Sequence, residues 1–233
     1  MKKINTTLFA LTFSGSVLAG GLPDDPLLFK LMIDKAEVAN PDSNSAFVWE
    51  VDAWLGKDLN KLWFKTEGER SAEEGVEEAS TELLYSRAIA PFWDLQAGWR
   101  HDHQPAGSDW FALGFKGLAP YLFEVDATAY VGESGRLALG LQAEYEYMFT
   151  QKLILSPEVE MNLYSKDDEA MGVGSGISDL SAGLRLRYEL RREFAPYIGV
   201  NWWRKFGKTA DYARAEGGRR TDTEFVVGIR AWF

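Results

Sequence analysis

The sequence contains no cysteine and only two histidines. The first absence excludes disulfides and thiolate metal sites, and the second leaves little material for a histidine-built metal centre or catalytic site. Positive charge is also scarce. Lys and Arg number 25 against 35 Asp and Glu, a formal net charge of −10, and such an acidic chain is a poor partner for nucleic acid. Beyond the N-terminus no apolar run reaches the ~20 residues that a spanning helix needs. Mean hydropathy is −0.23, which excludes a helical membrane protein. It does not exclude a membrane β-barrel, whose inner half is polar.

The N-terminus, MKKINTTLFALTFSGSVLAG, has Lys2 and Lys3, an apolar stretch, and small residues up to Ala19. It reads as a secretory signal peptide, residues 1–19, cleaved after Ala19. Residues 20–27 then form a short linker, and residues 28–233 carry the fold. Export leaves the periplasm or the outer membrane.

The C-terminus sets the pattern for the rest. In TEFVVGIRAWF, one parity holds Phe225, Val227, Ile229, Ala231 and Phe233, and the other holds Glu224, Val226, Gly228, Arg230 and Trp232. Alternation of this length predicts a β-strand with one apolar and one mixed face. An apolar strand face running to a terminal aromatic suits the closing strand of an outer-membrane barrel. The same alternation predicts strands at 28–38, 46–55, 61–70, 77–87, 92–102, 110–117, 121–131, 136–147, 152–164, 179–191, 195–206 and 223–233. Most approach the ~9–11 residues that cross a bilayer at a tilt. The connections near 56–60, 88–91, 118–120, 148–151 and 192–194 are tight. Those at 40–45, 71–76, 103–109, 165–178 and 207–222 are longer and polar, and 132–135 is a tight turn on the long-loop side. Short periplasmic turns and longer external loops mark an up-and-down transmembrane barrel, all-β, with about twelve antiparallel strands (ten if the first are misassigned).

One parity is apolar: Phe47, Trp49, Val51, Ala53 and Leu55; Trp93, Leu95, Ala97 and Trp99; Leu137, Leu139 and Leu141. Trp and Tyr fall towards segment ends, as an interfacial girdle requires. The inward parity is charged. It carries the acids Glu50, Asp52, Glu67, Glu69, Glu82, Asp94, Asp102, Glu124, Asp126, Glu144, Glu146, Glu158, Glu160, Glu189 and Glu224. Lys65, Arg100, Lys116, Arg185, Arg187, Arg191, Lys205 and Arg230 share that parity. Isolated buried charges are too costly to persist, so two readings stand side by side. Arg185, Arg187, Arg191 and Arg230 fill the barrel with salt bridges, or the surplus of acids forms a lining that attracts cations. The acid lining is expected at Glu50, Asp52, Glu67, Glu124, Asp126, Glu144, Glu146, Glu158 and Glu160, with Arg185, Arg187 and Arg230 as countercharges.

The runs FEVDATAYVGESGR (123–136), EYEYMFTQKLILSPEVEMNLYSKDDEAMGVGSGISDL (144–180) and LRLRYELRREFAPYIGVNWWRKFGKTADYARAEG (184–217) carry a resemblance. Through NLYSKDD, RREFAPYIGV and WRKFGKTAD the chain resembles the copper-resistance protein B family of outer-membrane proteins, over 28–233. The resemblance implies a barrel of the bacterial outer membrane that binds copper ions or conducts them across that membrane. Copper would be its bound substrate, outer-membrane lipid its surroundings, and a periplasmic copper-binding protein a partner for a monomeric barrel. Members carry a Met- and His-rich segment ahead of the barrel; here residues 20–27 contain neither residue type. The remaining candidate copper ligands are His101, Asp102 and His103 in WRHDH, Met148, and Met171 in a glycine-rich loop. Scattered Met is ordinarily packing, and Asp167, Asp168 and Glu169 suit hard cations better than copper. His101, Asp102, His103 and Ser108 supply hydrolase residue types, but no nucleophile motif accompanies them. The expectation is a non-enzyme, with a non-selective or structural barrel, or a hydrolase, as the alternatives.

Overall fold

The computed structural model describes residues 25–40, 45–72 and 75–233. The expected signal peptide and the first part of the linker lie outside the described residues. The chain forms twelve antiparallel strands closed into a barrel. They are Leu28–Ala39 (β1), Ala46–Gly56 (β2), Asn60–Ser71 (β3), Gly75–Ala90 (β4), Trp93–Gln104 (β5) and Ser108–Ala119 (β6). Phe123–Gly132 (β7), Leu137–Glu144 (β8), Leu153–Tyr164 (β9), Gly176–Tyr188 (β10), Phe194–Lys205 (β11) and Thr221–Trp232 (β12) complete the wall. Each strand pairs with its sequence neighbours, and β12 closes the ring on β1. The terminal Phe233 is held in that seam: its N–H donates to the Leu31 carbonyl at 2.8 Å and its carbonyl accepts from the Leu31 N–H at 3.0 Å. The ten-strand alternative is excluded.

Strand β8 resumes for two residues at Tyr147–Met148 after a break at 145–146. The break has a covalent cause. Pro157 on β9 accepts from the Tyr145 N–H at 3.0 Å but has no N–H to return, so the ladder loses a rung.

Side chains alternate across the wall. Leu55, Leu83, Phe111, Leu113, Phe115, Val131 and Leu184 face outward and are exposed, whereas Glu37, Asp52, Gln96, Asp102, Glu158 and Arg185 face inward and are buried. Inside, Trp63, Leu84 and Ala112 pack with Trp54 and Tyr130 on the β2–β7 side. Gly98 makes this possible, because it lies opposite Leu84 and a Cβ there would stand 2.0 Å from the Leu83 carbonyl oxygen. Outside, the Trp49 indole covers Gly68 so closely that a Cβ on Gly68 would meet Trp49 Cζ2 at 2.4 Å.

Among the described residues no helix is long and apolar enough to cross a membrane. The 207–222 connection, expected as loop, contains a nine-residue helix, Gly207–Ala215 (α1). Strand β10 ends at Tyr188 rather than 191, so Glu189 and Arg191 leave the lumen for the turn, where Arg191 bridges to Phe194.

Candidate functional site

The lumen brings the charged parity of all twelve strands together, and most of its acids are paired. Arg185 on β10 donates to both oxygens of Glu37, each at 2.9 Å, and to Glu158 at 2.6 Å. Tyr197 donates to Glu37 at 2.9 Å and Gln142 to Glu158 at 2.7 Å. Lys35 joins the same layer, 2.7 Å from Glu158 and 2.9 Å from Glu50. Towards the periplasmic turns, Arg230 spans Asp34 at 3.0 Å, Glu146 at 3.1 Å and Glu144 at 3.7 Å, and Arg187 reaches Glu146 at 2.5 Å. Across the barrel, Lys65 pairs with Asp126 at 2.9 Å, while Lys116 stands 3.6 Å from Asp52 and 3.8 Å from Asp126. Arg100 gathers Asp102, Glu67 and Glu82 at 2.7, 3.1 and 3.4 Å. Trp110 and Tyr130 donate to Asp102 and Glu82.

A second set of acids has no cationic partner, although Glu160 accepts from Asn162 at 3.4 Å. Among the described residues, Glu69, Glu78, Glu124, Glu160 and Glu224 make no ion pair within 4.0 Å. Glu69 and Glu78 lie directly opposite each other in the β3–β4 ladder, a like-charge pairing that a sheet does not favour on its own account. Glu69, Glu160 and Glu224 line a cavity of about 150 Å³ on the long-loop side. A larger cavity of about 450 Å³ lies towards the periplasmic turns, with Asp52, Asp94, Glu124, Asp126 and Glu144 in its wall. The lumen is thus acidic and partly hollow, and both readings of its charge coexist in different layers.

Sequence reasoning missed Asp34, Lys35 and Glu37. The β1 register shifts between Ile33 and Lys35, so a bulge sends Asp34 and Lys35 to the same side and reverses the parity beyond. Two adjacent charges, Asp34 and Lys35, inside an otherwise alternating strand were the available signal.

The candidate metal ligands are dispersed. Asp102 faces the lumen, whereas His101 and His103 face outward at the long-loop rim. His101 Nδ1 is 2.8 Å from Asp109, which also accepts from Trp99, and His103 Nε2 is 3.0 Å from the Thr81 hydroxyl. The two imidazoles sit edge to face at 4.7 Å. Met148 is exposed opposite Ile154 at the periplasmic rim. Met171, through its N–H, donates to Asp168 at 3.3 Å. Among the described residues no three His, Cys, Asp or Glu side chains converge on a metal-holding position.

The external loops are fastened to one another. Thr209 of α1 accepts from the Gly174 N–H at 2.8 Å and contacts the Ser178 hydroxyl at 3.0 Å. Lys208 pairs with Asp167, which also accepts from the Ser175 N–H at 2.8 Å. The Lys208 bond, aided by Ser175, lowers the Asp167 pKa to about 2. The clamp is therefore complete above the ordinary Asp value of about 3.9 and is lost as pH falls through about 2. Hydrogen exchange should show the Ser175 amide protected at pH 5, and Asp167→Ala should abolish that protection. Equal exchange in both proteins would refute the clamp.

Comparison with known proteins agrees with this architecture. Residues 27–233 match the family model described as copper resistance protein B precursor. The chain is 44% identical over 220 residues to copper resistance protein B of Escherichia coli, covering 94% of this chain and 74% of that protein. It is 43% identical over 201 residues to a homolog from Pseudomonas syringae pv. tomato (strain ATCC BAA-871 / DC3000), covering 86% and 68%. Among solved structures it resembles the NanC porin with TM-score 0.58 at 10% identity, covering 86% of this chain and 98% of that one. The KdgM porin gives TM-score 0.51 at 12% identity, covering 88% and 99%. At such identities the porins bear on fold alone.

Proposed function

The chain belongs to the copper resistance protein B family and is an outer-membrane β-barrel, and from that premise we propose that its lumen binds copper ions and conducts them across the outer membrane. Copper is the substrate. The observation that carries the proposal is the acid left over after pairing. Glu69, Glu78, Glu160 and Glu224 face the long-loop half of the lumen without ion-pair partners, as a lining that draws cations from outside does. Carboxylate oxygens and the hydration they retain would hold Cu(II) weakly enough to let it move on. A periplasmic copper-binding protein would then receive the ion at the larger cavity. We read the barrel as a non-enzyme, in keeping with relatives named as copper resistance proteins.

The test is copper flux into liposomes carrying the refolded barrel, with zinc and magnesium as controls. Copper-selective flux that falls several-fold in Glu69→Gln/Glu78→Gln is the expected result. Those carboxylates carry no ion pair, so the variant should fold as the parent does. Flux equal for all three metals would support a non-selective pore instead, and its absence would leave a closed structural barrel.

A further inference from the structure

The two cavities of the lumen meet at one layer. Lys35, Glu158 and Arg185 line both the larger cavity near the periplasmic turns and the smaller one near the external loops. These three side chains therefore stand where the two cavities adjoin.

They are not held alike. Arg185 is fixed by a two-pronged bond to Glu37, by Glu158, and indirectly by Tyr197. A planar guanidinium in that fork geometry has no alternative position of equal quality. Lys35 makes only single contacts, to Glu50 and to Glu158, at the end of a flexible four-carbon stem. It projects from the β1 bulge, where adjacent residues both enter the lumen. Beyond it on the same face of β9, two residues from Glu158, stands Glu160 without an ion pair. Same-face neighbours on a strand are separated by about 7 Å, within the swing of a lysine.

We propose that Lys35 is the movable element of the constriction, a tethered ammonium that sits between Glu50 and Glu158 and is displaced by a permeating inorganic cation. In the closed arrangement Lys35 bridges the two carboxylates. An arriving cation takes their oxygens, and the ammonium swings to Glu160 and returns once the cation has left. Glu50 and Glu158 thus keep a cationic partner before and during passage, and Glu160 gains one while the ion is bound, which limits the cost of unpaired charge in a poorly hydrated section. Arg185 and Glu37 act as the fixed frame. A small hydrated cation of either +1 or +2 charge fits the role, whereas an anion meets Glu50, Glu158 and Glu160 together. The inference rests on the lumen being a cation pathway and adds which residue closes it.

The experiment is planar-bilayer conductance in KCl, which makes no use of copper. Lys35→Met should raise the conductance several-fold and shift the permeability ratio towards K⁺ over Cl⁻. Because Lys35→Met leaves Glu50 unpaired and could impair folding, Lys35→Met/Glu50→Gln is the second variant. It should also conduct more than the parent, with a weaker preference for K⁺. Lys61→Met, which removes a different lumen ion pair (to Asp94, 3.2 Å), should leave the conductance unchanged. Parental conductance in both Lys35 variants, or an equal rise in Lys61→Met, would overturn the assignment. Increased K⁺ conductance in a barrel that never passes copper would uphold the constriction and sink the copper reading.

Discussion

Replacing Arg185 by Met should lower the unfolding free energy of the barrel by about 3–5 kcal/mol, the usual cost of removing one partner from a buried charge network. The guanidinium makes three bonds to two carboxylates, and Glu37 is only 3% exposed. Without Arg185, Glu37 keeps the Tyr197 hydroxyl alone. A buried carboxylate with one neutral donor is far from compensated. The measurement is the urea midpoint for reversible folding into lipid bilayers or micelles, with the slope unchanged. Arg185→Met/Glu37→Gln should recover a large part of the loss, because the second change removes the stranded charge. An unshifted midpoint in the single variant would mean that lumen water screens this layer, and the fixed frame assigned to Arg185 would fall with it.

The second large effect lies on the outer face. Leu113, near the middle of β6, points outward between Ala97 and Ala129. In Leu113→Arg a charge enters the centre of the apolar band, at a cost of about 2–4 kcal/mol on a lipid-facing midplane position. Val131, also outward, lies one residue from the loop-side end of β7, and Val131→Arg should cost about 0–1 kcal/mol because the penalty fades near the interface. The contrast matters more than either value. On a water-facing sheet both substitutions would fall within about 0.5 kcal/mol of the parent. Equal, small shifts in the urea midpoint would contradict the lipid-facing assignment of this wall.

Much of the fold was legible from covalent chemistry and alternation. Side chains on a strand alternate strictly, so a wall between lipid and a polar lumen writes itself as apolar and charged residues in turn. That is why β2, β5 and β12 were placed within a residue or two from the sequence, and why Phe233 marked the closing seam. Parity put many of the lumen acids on one face with Arg185, Arg187 and Arg230, but it misplaced Glu189 and missed Asp34 and Glu37. The NLYSKDD, RREFAPYIGV and WRKFGKTAD runs carried the resemblance to the family as well.

What alternation cannot report is who meets whom across the lumen. Glu37 and Arg185 are separated by 148 positions and Lys35 and Glu158 by 123, and only closure of the ring sets them face to face. The bulge in β1 was likewise beyond a rule of strict parity, since one extra residue reverses every side chain after it. The α1 helix escaped notice because its fixing contacts, Thr209 with Gly174 and Ser178, lie on another loop and strand. Sequence by itself determined the barrel, its two faces and its acidic excess, because these follow from local periodicity and charge. Tertiary structure alone decided which acids are ion-paired, which among the described residues have no ion pair, and that a single lysine stands where the two cavities join, because pairing depends on distances between strands remote in the chain.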